Sequence, residues 1–467
     1  MTNPFDDESA EFYVLVNAEQ QYSLWPAFAA APDGWTVAAG PDGRQKCLDY
    51  IEENWTDMRP KSLADAMRAD RDELARSGAG SAAADVTVQR VRYEAGGSAV
   101  HIAVDDAPGY GERPDLWPSV GEYPCYDPLV YYIMTHDEVR NAAFRHALLP
   151  HASGQVVLDL GTGSDLHWAR EAAGHGARRV FAIEAMADSH AAAAKLLASS
   201  PWADSIELLY GKSFALSLPE RAGVCVAEII GSIASSEGML AVMADARKRL
   251  LAPGAVVVPA AASTLAAAVS LREMFPGGLA FSRDALPYVQ QIFELCERPF
   301  DLRLSVANAP ADIIMSTAEP VETFTCDGSA PLSATSQAQL TVTRAGSVDG
   351  LLCWLRLEAG GGAQALDSLR DKTSWIPVYL PLFDDPVPAA PGDVLEVNFE
   401  RSVSDDGIHP DYNVLVTLSA GSAVHQASFS SPHHGGELGK ARVYRELFGL
   451  ESAVGRLSSS RSKLGPK

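Results

Sequence analysis

The chain has 467 residues, of which 47% are hydrophobic, so it is long enough for roughly three domains with ordinary cores. Its formal net charge of −23 argues against nonspecific binding to nucleic acid, which requires a basic face for the phosphates, and favours a cationic substrate. It has no run of eighteen apolar residues, and Met1 to Glu8 is acidic where a signal peptide would be basic, so we expect a cytoplasmic protein without a membrane span.

The cysteines and histidines show no spacing typical of a metal site. The six cysteines are scattered without a C-x-x-C pair, which indicates buried thiols in a reducing compartment rather than a disulfide framework. His433 and His434 are adjacent in a glycine-containing stretch typical of a loop, and such a pair alone does not predict a metal centre. We therefore expect no metal.

The N-terminal region predicts a small antiparallel sheet with one helix. Glu11–Val16 and Gln20–Pro26 are strand-like, and Pro32–Trp35 is typical of a turn. Leu48–Trp55 carries apolar residues at helical spacing. A domain of this size is marginal alone, so tryptophans on its neighbouring strands would ordinarily belong to the core.

Short motifs in this region are more specific than its periodicity. They are Asn3-Pro4-Phe5-Asp6, Asn17-x-Glu19-x-Gln21-x-Ser23-x-Trp25-Pro26, Pro32-x-Gly34-Trp35 and Trp55-Thr56-Asp57-x-Arg59-Pro60-x-Ser62-Leu63. Together they resemble the MbtH-like proteins over Met1 to Met67, and we place this domain at residues 1–76. Members of that family bind and solubilise adenylation domains of nonribosomal peptide synthetases, so the resemblance implies such a partner. It also implies that Trp25 and Trp35 hold a small side chain of the partner, with Ser23 beside them. The alternative is that both indoles are simply core.

Residues 77–122 are expected to form a linker and a hairpin. Ser77–Ala84 consists of small residues typical of a linker. The alternating runs Asp85–Tyr93 and Ser98–Asp105 flank Gly96 and Gly97, which predicts a hairpin whose role the sequence does not reveal.

The segment Tyr123–Arg145 is expected to enter a helix on which Met134, Asp137 and Arg140 lie at i, i+3 and i+6 and share one face. On helical evidence alone, a surface helix with an ordinary ion pair explains these residues equally well.

The next stretch has the pattern of a nucleotide-binding domain. Val156–Leu160 reads as a buried parallel strand, followed by Gly161 and Gly163 as a tight turn that opens a helix. Val180–Glu184 reads as the next strand. Glycine has no Cβ, so the backbone can bend sharply and approach a ligand at the helix N-terminus. Glu184 follows Gly163 by 184 − 163 = 21 positions, where it would accept hydrogen bonds from two ribose hydroxyls. The pattern predicts a nucleoside pocket without deciding which nucleoside.

Two segments of this domain resemble class I S-adenosylmethionine methyltransferases. Leu158-Asp159-Leu160-Gly161-Thr162-Gly163 resembles their motif I, and Gly211-Lys212-Ser213, after the strand Ile206–Tyr210, resembles the segment beside the adenine. The resemblance implies a Rossmann-like domain with S-adenosylmethionine as cofactor. The cofactor-binding residues that it implies are Asp159, Gly161, Gly163, Glu184 and Ser213.

An acidic loop extends the resemblance to the protein arginine methyltransferases. The strand Val224–Glu228 ends at one acid, and Glu237 follows by 237 − 228 = 9 positions, as in the double-glutamate loop of that family. A guanidinium keeps its proton and delocalises its lone pairs, so two carboxylates are needed to hold the cation and draw charge from the reacting nitrogen. The resemblance implies that Glu228 and Glu237 are catalytic. The alternative is a strand-end acid and a helix cap.

The helix that precedes the domain matches the same family. Met134-x-x-Asp137-Glu138-Val139-Arg140 resembles its N-terminal helix, which folds over the cofactor. The resemblance implies that Arg140 holds the methionyl carboxylate through a forked contact, and that Tyr126 and Met134 line the lid. We place the methyltransferase domain, with this helix, at residues 123–259.

Residues 260–456 are expected to form a β-barrel or sandwich, which again resembles the order of domains in arginine methyltransferases. The strand-like runs are Gln339–Arg344, Gly350–Leu357, Val378–Leu382, Val394–Glu400 and Val414–Ser419. Pro287–Arg298 is either a short dimerisation arm, which would allow a homodimer, or a packing helix. Residues 457–467 are rich in serine and lysine and are expected to be disordered.

Three residues depart from the arginine methyltransferase pattern. Ser374, within Thr373-Ser374-Trp375, stands where the family has a histidine that pairs with the lid aspartate, here Asp137. We place Asp137, Ser374 and Trp375 in the substrate pocket with Tyr126. Asp165 replaces the third glycine of motif I, and Phe214 stands where the family has a glutamate beside the adenine. The changes suggest a relative with a different acceptor.

Three functions follow from these patterns. The first is an enzyme of nonribosomal peptide biosynthesis that N-methylates the guanidino group of arginine or an arginine-derived building block, with an MbtH-like module that binds an adenylation domain. The second keeps the cofactor but methylates oxygen, carbon or an amine of another amino acid, free or carrier-tethered. The third is a non-catalytic chaperone with a degenerate methyltransferase.

Overall fold

The computed structural model of the protein describes residues 11–18, 20, 22–29, 31–32, 34–54, 88–105, 113–123, 125–434 and 436–450. The predicted linker at 77–84, the end of the first domain at 76, the disordered tail at 457–467 and the motifs before 11 and after 54 lie outside these residues. The chain divides into two compact units, Met1–Asp85 and Val86–Lys467. Among the described residues, every helix is too short or too polar to span a bilayer.

The first unit is a small antiparallel sheet covered by one helix, as predicted, but the sheet has three strands. Its elements are β1 (Glu11–Asn17), β2 (Tyr22–Pro26), β3 (Trp35–Gly43) and α1 (Arg44–Asn54). β1 lies between β2 and β3, and its Phe12 and Val14 pack with Cys47 of α1 in a buried core. The strand β3 was not predicted, because Gly40-Pro41 and Gly43 interrupt the alternation by which strands are recognised.

Three predicted partner-binding residues, Ser23, Trp25 and Trp35, lie on the sheet face that points away from α1. Directly opposite residues of antiparallel strands share a face, and Trp25 and Ser23 are opposite Tyr13 and Leu15. These two alternate with the core residues of β1, so they point to the other face. Trp35 is opposite the last residue of β1, which continues the same alternation. Both tryptophans are partly exposed, so a partner can reach them.

The second unit begins with three strands and two helices. They are β4 (Val88–Ala95), β5 (Ser98–Asp105), β6 (Asp115–Pro118), α2 (Pro128–Thr135) and α3 (Glu138–Ala152). The one helix predicted over Tyr123–Arg145 is therefore two helices, because the Asp137 side chain accepts from the Arg140 N–H at 2.9 Å and caps a new one. Met134 and Arg140 lie on different helices and do not share a continuous helical face.

A five-stranded parallel sheet with helices forms the predicted Rossmann-like part. Its elements are β7 (Val156–Leu160), α4 (His167–Gly174), β8 (Arg179–Glu184), α5 (Ala187–Ala198), β9 (Ile206–Tyr210), β10 (Ala222–Ala227), α6 (Met239–Arg249) and β11 (Leu251–Val258). The strand order is β11-β10-β7-β8-β9. The chain runs outward from β7 to β9 and then returns to β10 on the other side of β7, so the sheet has its switch point between β7 and β10.

The remaining elements form the β domain. The strands are β12 (Ala261–Val269), β13 (Phe281–Ser282), β14 (Leu304–Ala307), β15 (Glu319–Thr325), β16 (Ala334–Thr341), β17 (Gly346–Val348), β18 (Gly350–Glu358), β19 (Leu366–Asp367), β20 (Val378–Pro381), β21 (Val387–Ala389), β22 (Val394–Val403), β23 (Pro410–Ala420) and β24 (Ala423–Ser431). The helices are α7 (Leu271–Met274), α8 (Leu286–Leu295) and α9 (Arg442–Leu447).

These strands form one large sheet and one smaller sheet around a shared core, and β17 and β21 pair in a separate two-stranded sheet. The large sheet has the order β15-β12-β18-β20-β14-β6-β13-β5-β4, with β19 beside β18, so the hairpin β4–β5 is its edge. The smaller sheet is antiparallel, in the order β16-β22-β23-β24. Side chains of both sheets, such as Leu352 of β18 and Val416 of β23, belong to a single buried cluster. This agrees with the predicted β-barrel or sandwich.

Helix α8 covers the segment predicted as either a dimerisation arm or a packing helix. Its Tyr288, Val289, Ile292 and Phe293 are buried in the core of the β domain. This face of the helix therefore packs against the β domain.

Candidate active site

A cavity of about 590 Å³ lies where β7, β8 and β10 end. Open parallel sheets bind ligands at this position, outside the carboxyl ends of the strands at the switch point. Nine of the predicted site residues line the cavity: Tyr126, Met134, Arg140, Gly161, Gly163, Glu184, Ser213, Glu228 and Glu237.

The turn after β7 presents its backbone to this cavity. Gly161 and Gly163 have φ angles of +74° and +71°, which residues with a Cβ adopt only at a cost. A Cβ on Gly161 would lie 3.0 Å from Ile229 Cγ2, and one on Gly163 would lie 3.1 Å from Tyr131 Cε1. Glycine at both positions therefore leaves room for a ligand against the main chain.

Glu184 lies at the end of β8, beside the glycine turn. Its Oε2 accepts from the Gly163 N–H at 2.9 Å, and its Oε1 accepts from the Met186 N–H at 2.7 Å. These bonds fix the carboxylate, and each oxygen keeps a lone pair for another donor. The position fits a ribose whose two hydroxyls donate to one carboxylate.

Asp159, predicted as a cofactor-binding residue, lies beneath the turn and is not among the residues that line the cavity. It is fully buried, and its Oδ2 accepts from Thr162 Oγ1 at 2.6 Å and from the Ala169 N–H at 2.9 Å. Burial raises the pKa of Asp159 to about 7, against the effect of these two bonds. The side chain holds the turn and α4 in place, so it reaches a ligand only through the main chain.

Arg140 lines the cavity but is engaged on several sides. Its Nη1 donates to Glu228 Oε2 at 3.0 Å, its Nη2 donates to the Met134 carbonyl, and Nε and Nη2 both donate to Asn141 Oδ1 at 3.2 Å. Among the bonds of the described residues, only one hydrogen on Nη1 is left over. The forked contact predicted for a methionyl carboxylate therefore does not fit this arrangement, whereas a single charged hydrogen bond does.

Glu228 and Glu237 bring two buried carboxyl groups to one side of the cavity. Burial raises the pKa of Glu228, and the neighbouring Arg140 opposes the shift. Burial and the charge of Glu228 together raise the pKa of Glu237 to about 8. The Tyr126 hydroxyl donates to the Gly121 carbonyl at 2.9 Å and to Glu237 Oε2 at 3.3 Å. A Cβ on Gly121 would overlap Glu237 Oε1, so this glycine makes room for the acid.

A buried polar network anchors the loop that carries Glu237 to the β domain. Glu322 accepts from the Ser235 N–H at 3.1 Å, from Thr264 Oγ1 at 2.7 Å and from Arg401 Nη1 at 2.7 Å. The Ser235 hydroxyl donates to Glu322 Oε2 at 2.9 Å. The sequence pattern does not indicate these positioning residues, because they come from strands distant along the chain.

Asp137, Ser374 and Trp375 lie near one another but are not among the residues that line this cavity. Asp137 Oδ2 accepts from the Ser374 N–H at 2.6 Å, and Trp375 Nε1 donates to the Ile230 carbonyl at 2.7 Å. All three line a second hollow of about 590 Å³. Their role in a substrate pocket stays a prediction. The contact between Asp137 and position 374 is made by the main chain, and Trp375 supports the start of the loop after Glu228.

Three residues of the β domain complete the cavity wall. Asp406 and His409 come from the turn between β22 and β23, and His433 follows β24. One nitrogen or oxygen atom from each lies within 4.8 Å of the other two. The rings of His409 and His433 are stacked, with centroids 4.1 Å apart and planes 11° apart. Because ring-nitrogen lone pairs lie in the ring plane, those of stacked rings run side by side and do not converge on one metal ion. The sequence pattern does not indicate this group, because the turn and β24 meet only in the fold.

The N-terminal unit is similar to a known protein family. The MbtH-like protein family matches residues 1–67. The chain is 35% identical over 68 residues to the enterobactin biosynthesis protein YbdZ of Escherichia coli K12, which covers 15% of this chain and 94% of that protein. The chain belongs to the MbtH-like proteins. The predicted resemblance of the first unit is therefore confirmed.

The region that follows the MbtH-like domain is similar to arginine methyltransferases. Over 277 residues it is 29% identical to an arginine N(omega)-methyltransferase of Streptomyces achromogenes subsp. streptozoticus, which covers 57% of this chain and 74% of that protein. The fold is similar to a Trypanosoma brucei PRMT1 enzyme–prozyme heterotetrameric complex with AdoHcy, with 20% identity and a TM-score of 0.52 over 65% of this chain and 98% of that one. The chain thus combines an N-terminal MbtH-like domain with an S-adenosylmethionine-dependent methyltransferase. This confirms the predicted fold class and class of enzyme.

The glycine turn leads to a prediction about cofactor affinity. We expect Gly163→Ala to raise the dissociation constant for S-adenosylmethionine about tenfold, because the added methyl group meets Tyr131 on the cavity wall and shifts the turn, at a cost of roughly 1–2 kcal/mol in binding. Titration calorimetry measures this dissociation constant. Gly154→Ala is the matched control, since Gly154 has a φ of +70° but open space at its Cβ position. Equal loss of affinity in both variants would contradict a local effect at the turn.

Proposed function

We propose that this enzyme transfers a methyl group from S-adenosylmethionine to the guanidino group of arginine or an arginine-derived building block. The observation that carries the proposal is that Glu228 and Glu237, both buried, line the same cavity as the glycine turn. A paired carboxyl site of this kind suits a planar cation with several N–H donors. The similarity to an arginine N(omega)-methyltransferase supports the same acceptor.

The residues around the turn suit the cofactor. Gly161 and Gly163 would bring main-chain groups against it, Glu184 would accept from the ribose hydroxyls, and Arg140 would offer one charged N–H to the methionyl carboxylate. Met134 and Ser213 also line this part of the cavity. When bound, the cofactor supplies an electrophilic methyl group.

The two glutamates would act on the acceptor in different ways. Glu228 shares its charge with Arg140, so it would position the guanidinium by a hydrogen bond while remaining ionised. Glu237 has a pKa of about 8, which suits it to take the proton that the attacking nitrogen gives up. Tyr126 fixes the carboxyl group of Glu237 by its hydrogen bond, so the acceptor would be held in one orientation.

This assignment predicts a pH dependence. A guanidinium binds the ionised form of Glu237, and the pKa of that group is raised to about 8 in the free protein. We therefore expect kcat/KM for arginine to rise about tenfold per pH unit below this pKa and to level off above it. Initial rates at saturating cofactor from pH 6 to 9.5 would measure this. A flat profile across the range would contradict ionisation of Glu237 as a requirement.

The proposal is tested by assaying purified protein with methyl-labelled cofactor against free arginine, arginine derivatives and other amino acids. We expect label on the guanidino nitrogens. Label absent from every guanidine and present on another amino acid would support the alternative, methylation of oxygen, carbon or an amine. The specific observation in favour of that alternative is Ser374, which offers Asp137 a main-chain N–H where arginine methyltransferases have a histidine.

We also propose that the MbtH-like domain, at residues 1–76, binds an adenylation domain of a nonribosomal peptide synthetase. Ser23, Trp25 and Trp35 share an accessible sheet face, and partly exposed indoles are frequent anchors of interfaces. Co-expression with candidate adenylation domains tests this. We expect co-purification that is lost in Trp25→Ala, whereas Phe28→Ala, which removes an exposed side chain in the following turn, should retain it.

A further inference from the structure

One end of the active-site cavity is polar and adjoins the loop that carries Glu237. His409 is close to the loop of Glu237, because a Cβ on Gly238 would lie 3.7 Å from His409 Cδ2. Gly121 contacts the Glu237 carboxyl group and precedes Glu122, whose Oε2 is 3.8 Å from His433 Nδ1. The group therefore adjoins the site proposed for the acceptor.

Two buried polar atoms at this end have no hydrogen-bond partner among the described residues. They are His433 Nδ1 and Glu122 Oε1, on side chains of residues that are 4% and 2% exposed. Burial without a partner costs free energy for a polar atom, so such atoms are expected to meet a donor in the working protein. Both residues line the cavity, so the donor can come from a bound molecule.

The charges at this end favour a cationic donor. Hydrogen bonds from His409, Ile408 and Ser404 outweigh burial and hold the pKa of Asp406 below its usual range, so it is ionised. Burial lowers the pKa of His409 and of His433, which leaves both imidazoles neutral with a free lone pair.

The guanidinium of Arg303, near this end, already has hydrogen-bond partners. Arg303 donates to Glu122, to Ser431 Oγ at 2.7 Å and to the Pro410 carbonyl at 3.0 Å. This ion pair balances Glu122, whereas Asp406 and Asp411, which accepts from the His433 N–H at 2.7 Å, leave the polar end acidic. A ligand with several N–H donors and one positive charge complements it, and a carboxylate does not.

We infer that this end of the cavity binds the α-ammonium group of the amino acid that is methylated. The inference rests on the proposed function and narrows its substrate. The acceptor is an arginine with an unacylated α-amino group, held at one end by Glu228 and Glu237 and at the other by Glu122, His433 and Asp406. An arginine inside a peptide or protein chain has an amide at that position, which carries no charge.

The first test uses the unmodified protein and three acceptors. Agmatine keeps the ammonium group of arginine and lacks the carboxylate, whereas Nα-acetylarginine keeps the carboxylate and lacks the ammonium. We expect kcat/KM for agmatine within about tenfold of that for arginine, and kcat/KM for Nα-acetylarginine at least about 100-fold lower, because its amide leaves the buried acceptors and the Asp406 charge without a cation. Equal use of arginine and Nα-acetylarginine would overturn the inference and leave the proposed function standing. Methylation of no guanidine at all would overturn both.

The second test changes the charge of the polar end. Asp406→Asn keeps an oxygen that can accept from the Ile408 and His409 N–H groups, so the turn is preserved, but the charge is removed. We expect an increase of about 10- to 100-fold in KM for arginine and agmatine, with kcat and the rate with Nα-acetylarginine unchanged. Asp405→Asn is the matched control, since the Asp405 side chain is 79% exposed and outside the cavity wall.

The same proteins test for a metal site. Calorimetric titration with ZnSO4 should show no stoichiometric binding to the unmodified protein. Binding of one zinc ion with micromolar affinity that disappears in Asp406→Asn would assign the group to a metal and overturn the inference. An equal loss of activity with all three acceptors in Asp406→Asn would also overturn it.

Discussion

At pH 9, Glu237→Gln is expected to lower kcat/KM for arginine about 100-fold or more. Removal of one partner from a buried, hydrogen-bonded pair of charges costs roughly 2–5 kcal/mol, and the carboxylate of Glu237 is the acid that is free to face the acceptor. Glutamine is of nearly the same size and can still accept from Tyr126, so the change isolates the charge. Initial rates with labelled cofactor measure the loss.

The size of this effect should depend on pH. Below pH 7 the unmodified protein has Glu237 mostly protonated, because its pKa is about 8, and then it resembles the variant. We therefore expect the ratio of kcat/KM for arginine between the unmodified protein and Glu237→Gln to decrease as the pH falls. The affinity for S-adenosylmethionine should be unchanged. Glu138→Gln is the control, because that side chain is 75% exposed. A pH-independent ratio would show that the glutamine variant fails for a structural reason.

Glu322→Gln is expected to lower the free energy of unfolding by about 3–5 kcal/mol. Its carboxylate and the Arg401 guanidinium are each 5% exposed and 2.7 Å apart, so the change leaves a buried charge without its counterion. Because Glu322 also holds Ser235, the loop of Glu237 should loosen. We expect kcat to fall while cofactor affinity is kept. Urea unfolding followed by tryptophan fluorescence measures the stability.

An exposed ion pair of equal length is the control for this prediction. Arg247 and Asp327 are also 2.7 Å apart, but their side chains are 51% and 46% exposed. Asp327→Asn should change the free energy of unfolding by less than about 1 kcal/mol. Comparable losses in the two variants would contradict the role of burial. Replacing both Glu322 and Arg401 with apolar residues should recover part of the stability, since no charge is then left unpaired.

The elements of the parallel sheet could be predicted because short-range patterns determine them. Val156–Leu160 and its glycine turn combine an apolar run with residues that tolerate positive φ, and both signals lie within a few positions. The strand β3 could not be predicted from its own residues, because its Pro41 and two glycines favour turns. It forms because β1 offers its second edge and α1 covers the core.

The candidate site was predictable for residues that follow strands and not for those whose role depends on distant neighbours. Glu184 and Glu228 follow from their positions at strand ends, and Glu237 follows from the spacing that resembles the double-glutamate loop of arginine methyltransferases. Asp159 has the same local signal, yet it points under the turn, where two hydrogen bonds hold it. The partner of Arg140 is 88 residues away, so the helical spacing does not reveal that Glu228 takes the place expected for the cofactor.

The ion pair between Arg140 and Glu228 has a consequence for ligand binding that can be followed without a methyl transfer assay. It leaves Glu237 as the acid that changes ionisation when a cation arrives, and at neutral pH this group still carries its proton. Entry of arginine should therefore expel about one proton into the buffer at pH 7 and almost none well above pH 8. The heat of binding would then vary with the ionisation enthalpy of the buffer, and its slope would count the released protons.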